Sequence, residues 1–216
     1  MRIGVYGGTF DPVHWGHLIL AEQCREQLAL DEVWFIPAGE PPHKLAGDRT
    51  PGRQRQEMLE LALAGHPAFK LSEIELQRPG PSFTVETLEE LHRRHPEHQW
   101  WLLLGADALR DFPGWRQPER IAQLARIAAV NRHLVIPHAG IMSDPHRLPP
   151  HDVTAFQQRF GERLDVVCMP PVGLSASDIR QRAAQGRSIR YLVPRAVEMY
   201  ILQHGLYRSD QTEVSS

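Results

Sequence analysis

The chain has 216 residues and a mass of 24.6 kDa, and 42% of its residues are hydrophobic while 23% are charged. This is the composition of an ordinary globular protein, and the length predicts one domain or one domain with a small appendage. Lysine and arginine number 24, aspartate and glutamate number 26, and the net charge is therefore −2. Proteins that bind the nucleic-acid backbone broadly are usually basic, so any phosphate recognition here must be local.

The cysteines and the apolar runs indicate where the protein works. Cys24 and Cys168 are too few for a disulfide framework, which favours a reducing compartment. The longest apolar stretches, such as 100–104, fall far short of the ~20 residues that span a bilayer. The first strand leads directly into Gly7-Gly8 and leaves no room for the apolar core of a signal peptide. We therefore expect a soluble cytoplasmic protein with no membrane or nucleic-acid partner, in which both cysteines pack in the core.

Short apolar runs rich in β-formers alternate with helical patterns along most of the chain. The predicted strands are Arg2–Tyr6, Val33–Ile36, Phe69–Leu76, Gln99–Leu104, Arg126–Val130 and Leu164–Met169. Three helices are predicted between them. The first carries Leu20, Cys24 and Leu28 at helical spacing, and the second has Thr50 as N-cap and Pro51 in first position and ends at Gly65. The third runs from near Ser82 to before Pro96. This alternation predicts an α/β fold, a Rossmann-like doubly wound parallel sheet with helices on both faces.

Two later segments do not alternate. The stretch from Arg132 to Pro150 is rich in proline and is predicted to be a long surface loop. From Ser175 onward the pattern is helical, with one helix to Gln185 before Gly186 and another from Pro194 to His204 before Gly205. We therefore predict an α/β domain over 1–174, a small helical subdomain over 175–208 and a disordered tail over 209–216.

The loop after the first predicted strand is the first place to look for a ligand, because doubly wound folds bind ligands beyond the carboxyl ends of their strands. It reads Gly7-Gly8-Thr9-Phe10-Asp11-Pro12-Val13-His14-Trp15-Gly16-His17 and leads into a helix. Glycine lets the backbone approach a ligand closely, and a helix N-terminus offers N–H groups to anions. The loop matches neither the dinucleotide fingerprint nor the Walker loop.

His14 and His17 are three residues apart at the helix entrance, so both can face one bound group. A metal site is poorly supported, because no neighbouring cysteine or carboxylate cluster completes a ligand set. The plain structural alternative is a pair of polar residues at a helix end with satisfied hydrogen bonds. The third interpretation is that both donate hydrogen bonds to a polyphosphate, where imidazole can stabilise charge that builds up in the transition state.

The first loop resembles the signature of the nucleotidyltransferase superfamily with its HxGH motif, and Leu174-Ser175-Ala176-Ser177-Asp178-Ile179-Arg180 resembles that superfamily's second motif, ISSTxIR. Further segments resemble the bacterial nicotinate-nucleotide adenylyltransferases: Ile36-Pro37, Pro41-Pro42-His43-Lys44, Ser82-Phe83-Thr84, Gly105-Ala106-Asp107 with Trp115, and Tyr191-Leu192-Val193-Pro194 with Tyr200-Ile201. The resemblance spans nearly the whole chain. The chain departs from the family pattern at Ala176, where serine is frequent, and around Arg132.

The resemblance implies transfer of AMP from ATP to nicotinate mononucleotide, with Mg²⁺ carried by ATP rather than held in a protein metal site. It implies catalytic roles for His14, His17, Lys44 and Arg180. It implies ATP-binding roles for Gly7, Gly8, Thr9, Phe10, His14, His17, Gly105, Asp107, Ser177 and Arg180. It implies acceptor-binding roles for Lys44, Thr84, Trp115 and Arg132. The helical subdomain would complete the phosphate site, and the sequence is compatible with an oligomer without specifying one.

Each implied role also has a plain structural alternative. Arg180 could belong to a solvated helix face with Arg182 and Arg187, Trp115 could be a hydrophobic lid, Thr84 an ordinary first-turn residue, and Asp107 the cap of a turn. At the level of function, the enzyme rivals are adenylyltransferases for nicotinamide mononucleotide or phosphopantetheine. A rival of another class is a non-catalytic nucleotide- or tRNA-binding module, which the acidic pI of about 6.6 disfavours.

Overall fold

The computed structural model describes residues 1–39, 49–131 and 150–208. The six strands are β1 (Arg2–Gly8), β2 (Glu32–Pro37), β3 (Phe69–Leu71), β4 (Gln99–Gly105), β5 (Arg126–Asn131) and β6 (Leu164–Cys168). They form one sheet in the order β3-β2-β1-β4-β5-β6, and every neighbouring pair is parallel. The predicted doubly wound α/β fold is confirmed, and its strand order reverses between β1 and β4.

Eight α-helices connect and cover the strands within the described residues. They are α1 (Trp15–Gln27), α2 (Gly52–Leu63), α3 (Thr84–Arg94), α4 (Ala106–Asp111), α5 (Pro118–Leu124), α6 (Pro150–Phe160), α7 (Ala176–Ala184) and α8 (Arg195–Gln203). None of these described helices has the length and the apolar run that crossing a membrane requires.

The sheet is buried on both faces, which explains the continuous apolar run in β4. Trp101 and Leu103 pack into a core with α1, α2, α7 and α8, while Leu102 and Leu104 point to a second core with α3, α4 and α5. Successive residues of a strand point to opposite faces, so a strand covered on both sides needs apolar residues at every position.

The C-terminal helices belong to the first of these cores. Ile179 of α7 and Val197 and Ile201 of α8 are buried in the same cluster as Tyr6 and Phe10. The backbone N–H of Trp15 at the start of α1 also bonds the carbonyl of Leu192, at 3.3 Å. The domain boundary between residues 174 and 175 stays a prediction. The contacts above connect the predicted helical subdomain to the α/β domain.

Two predicted elements differ from the structure. The third strand ends at Leu71 instead of Leu76, because the chain leaves the sheet edge after Ser72 bonds the carbonyl of Phe35 and then turns. The second helix begins at Gly52 with Pro51 as N-cap. Thr50 does not cap it, because Pro51 occupies the N-cap position and no described side chain makes a cap hydrogen bond there; the N–H of Thr50 bonds the carboxylate of Asp11.

The cysteine prediction is half correct. Cys24 is fully buried in the first core, whereas Cys168 is exposed at the end of edge strand β6. Its backbone N–H and carbonyl both pair with the side chain of Gln27, which fixes the strand end without burying the thiol. The predicted loop at 132–149 and the predicted tail at 209–216 lie outside the described residues.

Candidate active site

The two histidines of the first loop form a stacked pair at the entrance of α1. The ring centroids of His14 and His17 lie 3.7 Å apart with planes inclined by 23°. The backbone N–H of His14 donates to Nδ1 of His17 at 3.2 Å. Because Nδ1 accepts this bond, the proton of a neutral His17 ring lies on Nε2, which becomes its donor nitrogen.

Gly16 and Phe10 hold this pair in place. A Cβ atom at Gly16 would lie 3.0 Å from the ring of His14, so any side chain there would displace the ring. Phe10 is 2% exposed and presents its ring to His17 edge-on, with centroids 5.0 Å apart. The glycine between the two histidines is therefore a packing requirement for the stacked pair.

The second motif reaches the first loop across the surface of the fold. Ser175 caps α7, its Oγ accepting from the N–H of Asp178 at 3.1 Å. One turn later the guanidinium of Arg180 donates to the backbone carbonyl of Asp11 at 2.7 Å and lies 3.4 Å from Oγ of Ser177. The structure thus brings Arg180 and Ser177 to the loop that carries the histidine pair.

Asp11 anchors this loop from beneath. Its side chain is buried, with a residue exposure of 2%, and accepts from the hydroxyl of Tyr207 at 2.6 Å and the N–H of Thr50 at 3.3 Å. Burial, with the charge of Asp11 adding to it, raises the pKa of Tyr207 far above its ordinary value, so the tyrosine stays a neutral donor.

A buried arginine that was not predicted as a site residue joins the loop after β1 to both ends of the connection between β2 and α2. Arg55 of α2 is 3% exposed, and its guanidinium donates to the carbonyls of Thr9 at 2.9 Å, Ala38 at 2.7 Å and Thr50 at 3.0 Å. Burial lowers the pKa of Arg55, while Asp11 opposes the shift. The residue holds the ends of the loops after β1 and β2 at a fixed spacing.

A cavity of about 570 Å³ opens where β1 and β4 end. Gly7, Gly8 and Thr9 line it together with Thr84 and Trp115. A Cβ atom at Gly7 would meet nothing within 4 Å, so this backbone is open to a ligand. The cavity therefore unites part of the predicted ATP site with part of the predicted acceptor site, at the reversal of strand order where doubly wound folds bind ligands.

The acceptor side of the cavity combines a helix start with an aromatic wall. Thr84 is the first residue of α3. No side chain among the described residues caps this helix, so the first N–H groups of α3 are available to an anion. Arg116, missed by the sequence analysis, stacks over the ring of Phe83 at 4.4 Å and pairs with Glu86 at 3.0 Å. These contacts fasten the loop of Trp115 to the start of α3.

A buried polar network forms the floor of the cavity. Oγ1 of Thr87 donates to the carboxyl of Glu75 at 2.8 Å and accepts from the guanidinium of Arg78 at 3.1 Å. Burial raises the pKa of Glu75 above its ordinary value of 4.5, although Thr87 and Arg78 both oppose that shift. Glu75 was not predicted as a site residue, and it fixes the second turn of α3 against the cavity.

The raised pKa of Glu75 makes stability pH-dependent. A carboxyl that holds its proton more tightly when folded contributes stability below its unfolded pKa near 4.5, and that contribution is lost as pH rises through the folded value. Glu75→Gln cannot ionise and can still accept from Thr87. We expect its Tm, relative to wild type, to improve from pH 4.5 towards pH 8 in thermal melts. Glu60→Gln, on the exposed face of α2, is the control, and a Glu75→Gln difference that does not change with pH would contradict the expectation.

Among the described residues, seven predicted site residues do not line the cavity: Phe10, His14, His17, Gly105, Asp107, Ser177 and Arg180. Gly105 ends β4 and precedes α4, and Asp107 is exposed in the first turn of α4, where it pairs with Arg110. Lys44 and Arg132 lie outside the described residues, so their roles stay predictions.

Comparisons with known proteins identify the family of this chain. A family model described as Cytidylyltransferase-like matches residues 5–182. Three curated relatives carry the name "Probable nicotinate-nucleotide adenylyltransferase". The protein from Thermomicrobium roseum is 44% identical over 96% of this chain and 92% of its own length. The protein from Thermus thermophilus is 44% identical over 96% and 100%, and the protein from Roseiflexus sp. is 47% identical over 95% and 98%. The chain belongs to the nicotinate-nucleotide adenylyltransferase family.

Solved structures extend the agreement to the fold of this family. The Plasmodium falciparum nicotinic acid mononucleotide adenylyltransferase, complexed with NaAD, superposes with a TM-score of 0.77 over 95% of this chain and 97% of that chain, at 16% identity. The same enzyme complexed with APC gives a TM-score of 0.75. At this identity the likeness shows the shared fold alone. The resemblance predicted from the sequence motifs is confirmed by the closer sequence relatives.

Proposed function

We propose that this chain transfers AMP from ATP to nicotinate mononucleotide, giving nicotinate adenine dinucleotide and pyrophosphate in NAD biosynthesis. The observation that carries the proposal is the cavity at the ends of β1 and β4. There the glycines of the first loop face the helix start at Thr84 and the ring of Trp115 across one continuous space. A site that joins two nucleotides needs such a space, with phosphate donors on one side and a base-binding wall on the other.

The reaction requires no covalent enzyme intermediate. An oxygen of the acceptor's 5′-phosphate attacks the α-phosphorus of ATP, a new P–O bond forms, and the bond to the oxygen that bridges the α- and β-phosphorus breaks, so that pyrophosphate leaves with the electron pair. Catalysis is then a matter of holding the two phosphates in line and stabilising charge on the phosphoryl oxygens.

The histidine pair and the second motif supply donors for that charge. His17 would donate from Nε2 to the transferring phosphate, and His14 would keep the ring of His17 oriented and add a second donor. Arg180 and Ser177 would bind the pyrophosphate end of ATP, because they reach the same loop from the opposite side. An arginine suits this task, since its planar fork can hold two phosphate oxygens at once.

The acceptor would lie in the outer part of the cavity. The nicotinate ring would stack on Trp115, and its carboxylate would accept from backbone N–H groups at Thr84 and at the residue after Trp115. Gly105 and Asp107 are proposed to meet the adenosine. Lys44 and Arg132 are proposed to contact the acceptor phosphate.

Mg²⁺ would arrive with ATP and be held by triphosphate oxygens and water. Asp11, the carboxylate of the first loop, is buried and already accepts from Tyr207 and Thr50, which fits a metal carried by the substrate. We place the reaction in the cytoplasm, where free thiols such as Cys24 and Cys168 stay reduced.

The test is an acceptor panel with ATP and Mg²⁺. Purified chain is incubated with nicotinate mononucleotide, nicotinamide mononucleotide or phosphopantetheine, and pyrophosphate release is measured with the dinucleotide product. We expect release that depends on the acceptor and is fastest with nicotinate mononucleotide. Turnover of phosphopantetheine alone would assign the chain to another adenylyltransferase activity. Binding of ATP without release for any acceptor would favour a non-catalytic module.

Arg180→Ala should weaken the use of ATP in the forward reaction and of pyrophosphate in the reverse reaction together. Loss of a hydrogen bond to a charged group costs about 1.5–3 kcal/mol, so kcat/KM for ATP should fall at least ~10-fold. Arg180→Lys should recover part of the loss, because an ammonium cannot reproduce the fork.

The control for this variant is Arg187→Ala, an exposed arginine just beyond the same helix that should leave both reactions unchanged. Steady-state kinetics in both directions make the comparison. An Arg180→Ala enzyme altered only in its KM for the mononucleotide would place the residue on the acceptor instead.

A further inference from the structure

We propose that His95, Glu97 and His98 form a binding site for a borderline divalent transition metal such as Zn²⁺, at the turn between α3 and β4. Their ligand atoms all lie within 4.8 Å of one another, and within the described residues they are the one group of three such side chains. The turn lies at the amino end of β4, whereas the cavity opens at its carboxyl end. The proposed metal site is therefore separate from the proposed adenylyl-transfer site.

The backbone of this turn is fixed by hydrogen bonds. His95 ends α3, and its N–H bonds the carbonyl of Leu91 at 2.9 Å. The N–H of His98 bonds the carbonyl of His95 at 3.2 Å, and the next residue, Gln99, bonds the carbonyl of Met1 at 2.9 Å. The two histidines are therefore attached to a short, anchored segment, so little chain entropy is lost when they bind one ion.

Aromatic neighbours restrict the two imidazole rings. The rings of His95 and His98 are nearly parallel, inclined by 11° with centroids 5.3 Å apart. Trp34 meets His95 edge-on at 5.3 Å, and Trp100 lies 5.7 Å from His98. Packing of this kind preorganises ligands, which reduces the rearrangement that metal binding requires.

The carboxylate completes the donor set. Oε1 of Glu97 lies 3.0 Å from Nδ1 of His98, so the carboxylate is within reach of an ion bound at that ring. Tetrahedral Zn²⁺ with bonds of about 2.0–2.1 Å needs ligand atoms roughly 3.4 Å apart, and the three ligand atoms, all within 4.8 Å of one another, reach that spacing by small side-chain rotations. The nearby arginines Arg93 and Arg94 both pair with Glu90, which reduces their repulsion of a cation.

The chemistry of the donors selects the ion. Two imidazoles and one carboxylate suit Zn²⁺, Co²⁺, Ni²⁺ and Cu²⁺, whereas Mg²⁺ prefers oxygen ligands throughout. Three protein ligands leave a fourth position for water. The bound ion would join the end of α3 to the start of β4, so its expected effect is on stability.

The test uses the full chain with any affinity tag removed and metals stripped by a chelator. Zn²⁺ binding is measured by calorimetry near neutral pH, and Ni²⁺ binding by quenching of tryptophan emission, for which Trp34 and Trp100 are the adjacent reporters. We expect one equivalent of Zn²⁺, a Tm that rises with Zn²⁺ concentration, and no competition from millimolar Mg²⁺.

Five variants locate the site. His95→Ala and His98→Ala should each weaken Zn²⁺ binding by about tenfold or more. Mutating a residue that only hydrogen-bonds a metal ligand already costs about tenfold in affinity, so loss of a ligand should cost at least that much. Glu97→Gln should weaken it less, and His204→Ala on α8 should bind as wild type. Wild-type affinity in both His95→Ala and His98→Ala would overturn the proposal. Loss of binding in His17→Ala instead would also overturn it, because that result would place the metal on the stacked pair of the first loop.

Discussion

His17→Ala should lower kcat by about 10²–10³-fold, the usual cost of losing one preorganised donor to a developing charge. The expected change in KM for either substrate is small, because the donor acts on the transferring phosphate more strongly in the transition state than in the ground state. The structure gives the reason for singling out His17. Its Nδ1 accepts from the backbone N–H of His14, so its Nε2 is the nitrogen that carries the proton.

Two further substitutions separate the role of Nε2 as a donor from the hydrogen bond that Nδ1 accepts from the backbone of His14. His17→Asn places an amide oxygen near the position of Nδ1 and lacks an Nε2 donor, so it should fold normally and remain almost as slow as His17→Ala. His17→Gln places an amide nearer Nε2 and should recover part of kcat. His66→Ala is the control, a histidine that stacks on Phe69 and pairs with Glu22 away from the cavity. A folded His17→Ala enzyme with more than about a third of wild-type kcat would remove His17 from the mechanism.

The features predicted well from the sequence are those that local chemistry determines. All six strands were located, because a sheet covered on both faces demands apolar residues at successive positions, as in Trp101 to Leu104. The loop after β1, predicted as the first place for a ligand, lines the cavity, because the ends of parallel strands form the ligand edge of this fold. The ends of α2 and α7 agreed with Gly65 and Gly186, which both adopt positive φ.

The features that were missed depend on contacts between distant segments. Arg55 bonds carbonyls 5, 17 and 46 residues away, and only the closest partner is near it in sequence. One signal was present: Arg55 precedes Met58 and Leu59 by three and four residues, which places a charge on the buried face of α2. Such a charge needs partners, and the sequence does not say which.

Glu75 was missed for a different reason: it was placed in a predicted strand, Phe69–Leu76, that is longer than the observed β3. Its segment carries the alternation of a strand up to Leu76, yet the sheet pairs only the part that faces β2, Phe69 to Leu71. Pairing stops where Leu71 lies opposite Phe35, although β2 continues to Pro37. The residues beyond the pairing turn away and deliver Glu75 to the floor of the cavity.

The wild-type enzyme should prefer nicotinate mononucleotide to nicotinamide mononucleotide by at least ~10²-fold in kcat/KM. The carboxylate would accept backbone N–H bonds at the start of α3 and after Trp115, with the cation of Arg116 in the lining of the same cavity. An amide turns its NH₂ towards at least one of these donors. An unsatisfied buried donor costs ~1–3 kcal/mol and the lost charge-assisted bond a similar amount, and ~1.4 kcal/mol corresponds to tenfold.

Substitutions of residues that line the cavity show which group discriminates between the acid and the amide. Thr84→Ala keeps the backbone N–H and should change the ratio of the two kcat/KM values little, whereas Trp115→Ala should weaken both mononucleotides because stacking does not discriminate between them. Arg116→Gln removes the cation that stacks on Phe83 and should reduce the preference for the acid without abolishing it. Competition kinetics with both mononucleotides present measure each ratio directly. Equal turnover by the wild-type chain would refute acid selectivity and leave the broader adenylyltransferase activity, since the roles proposed for the first loop and Arg180 concern ATP and do not depend on which pyridine is bound.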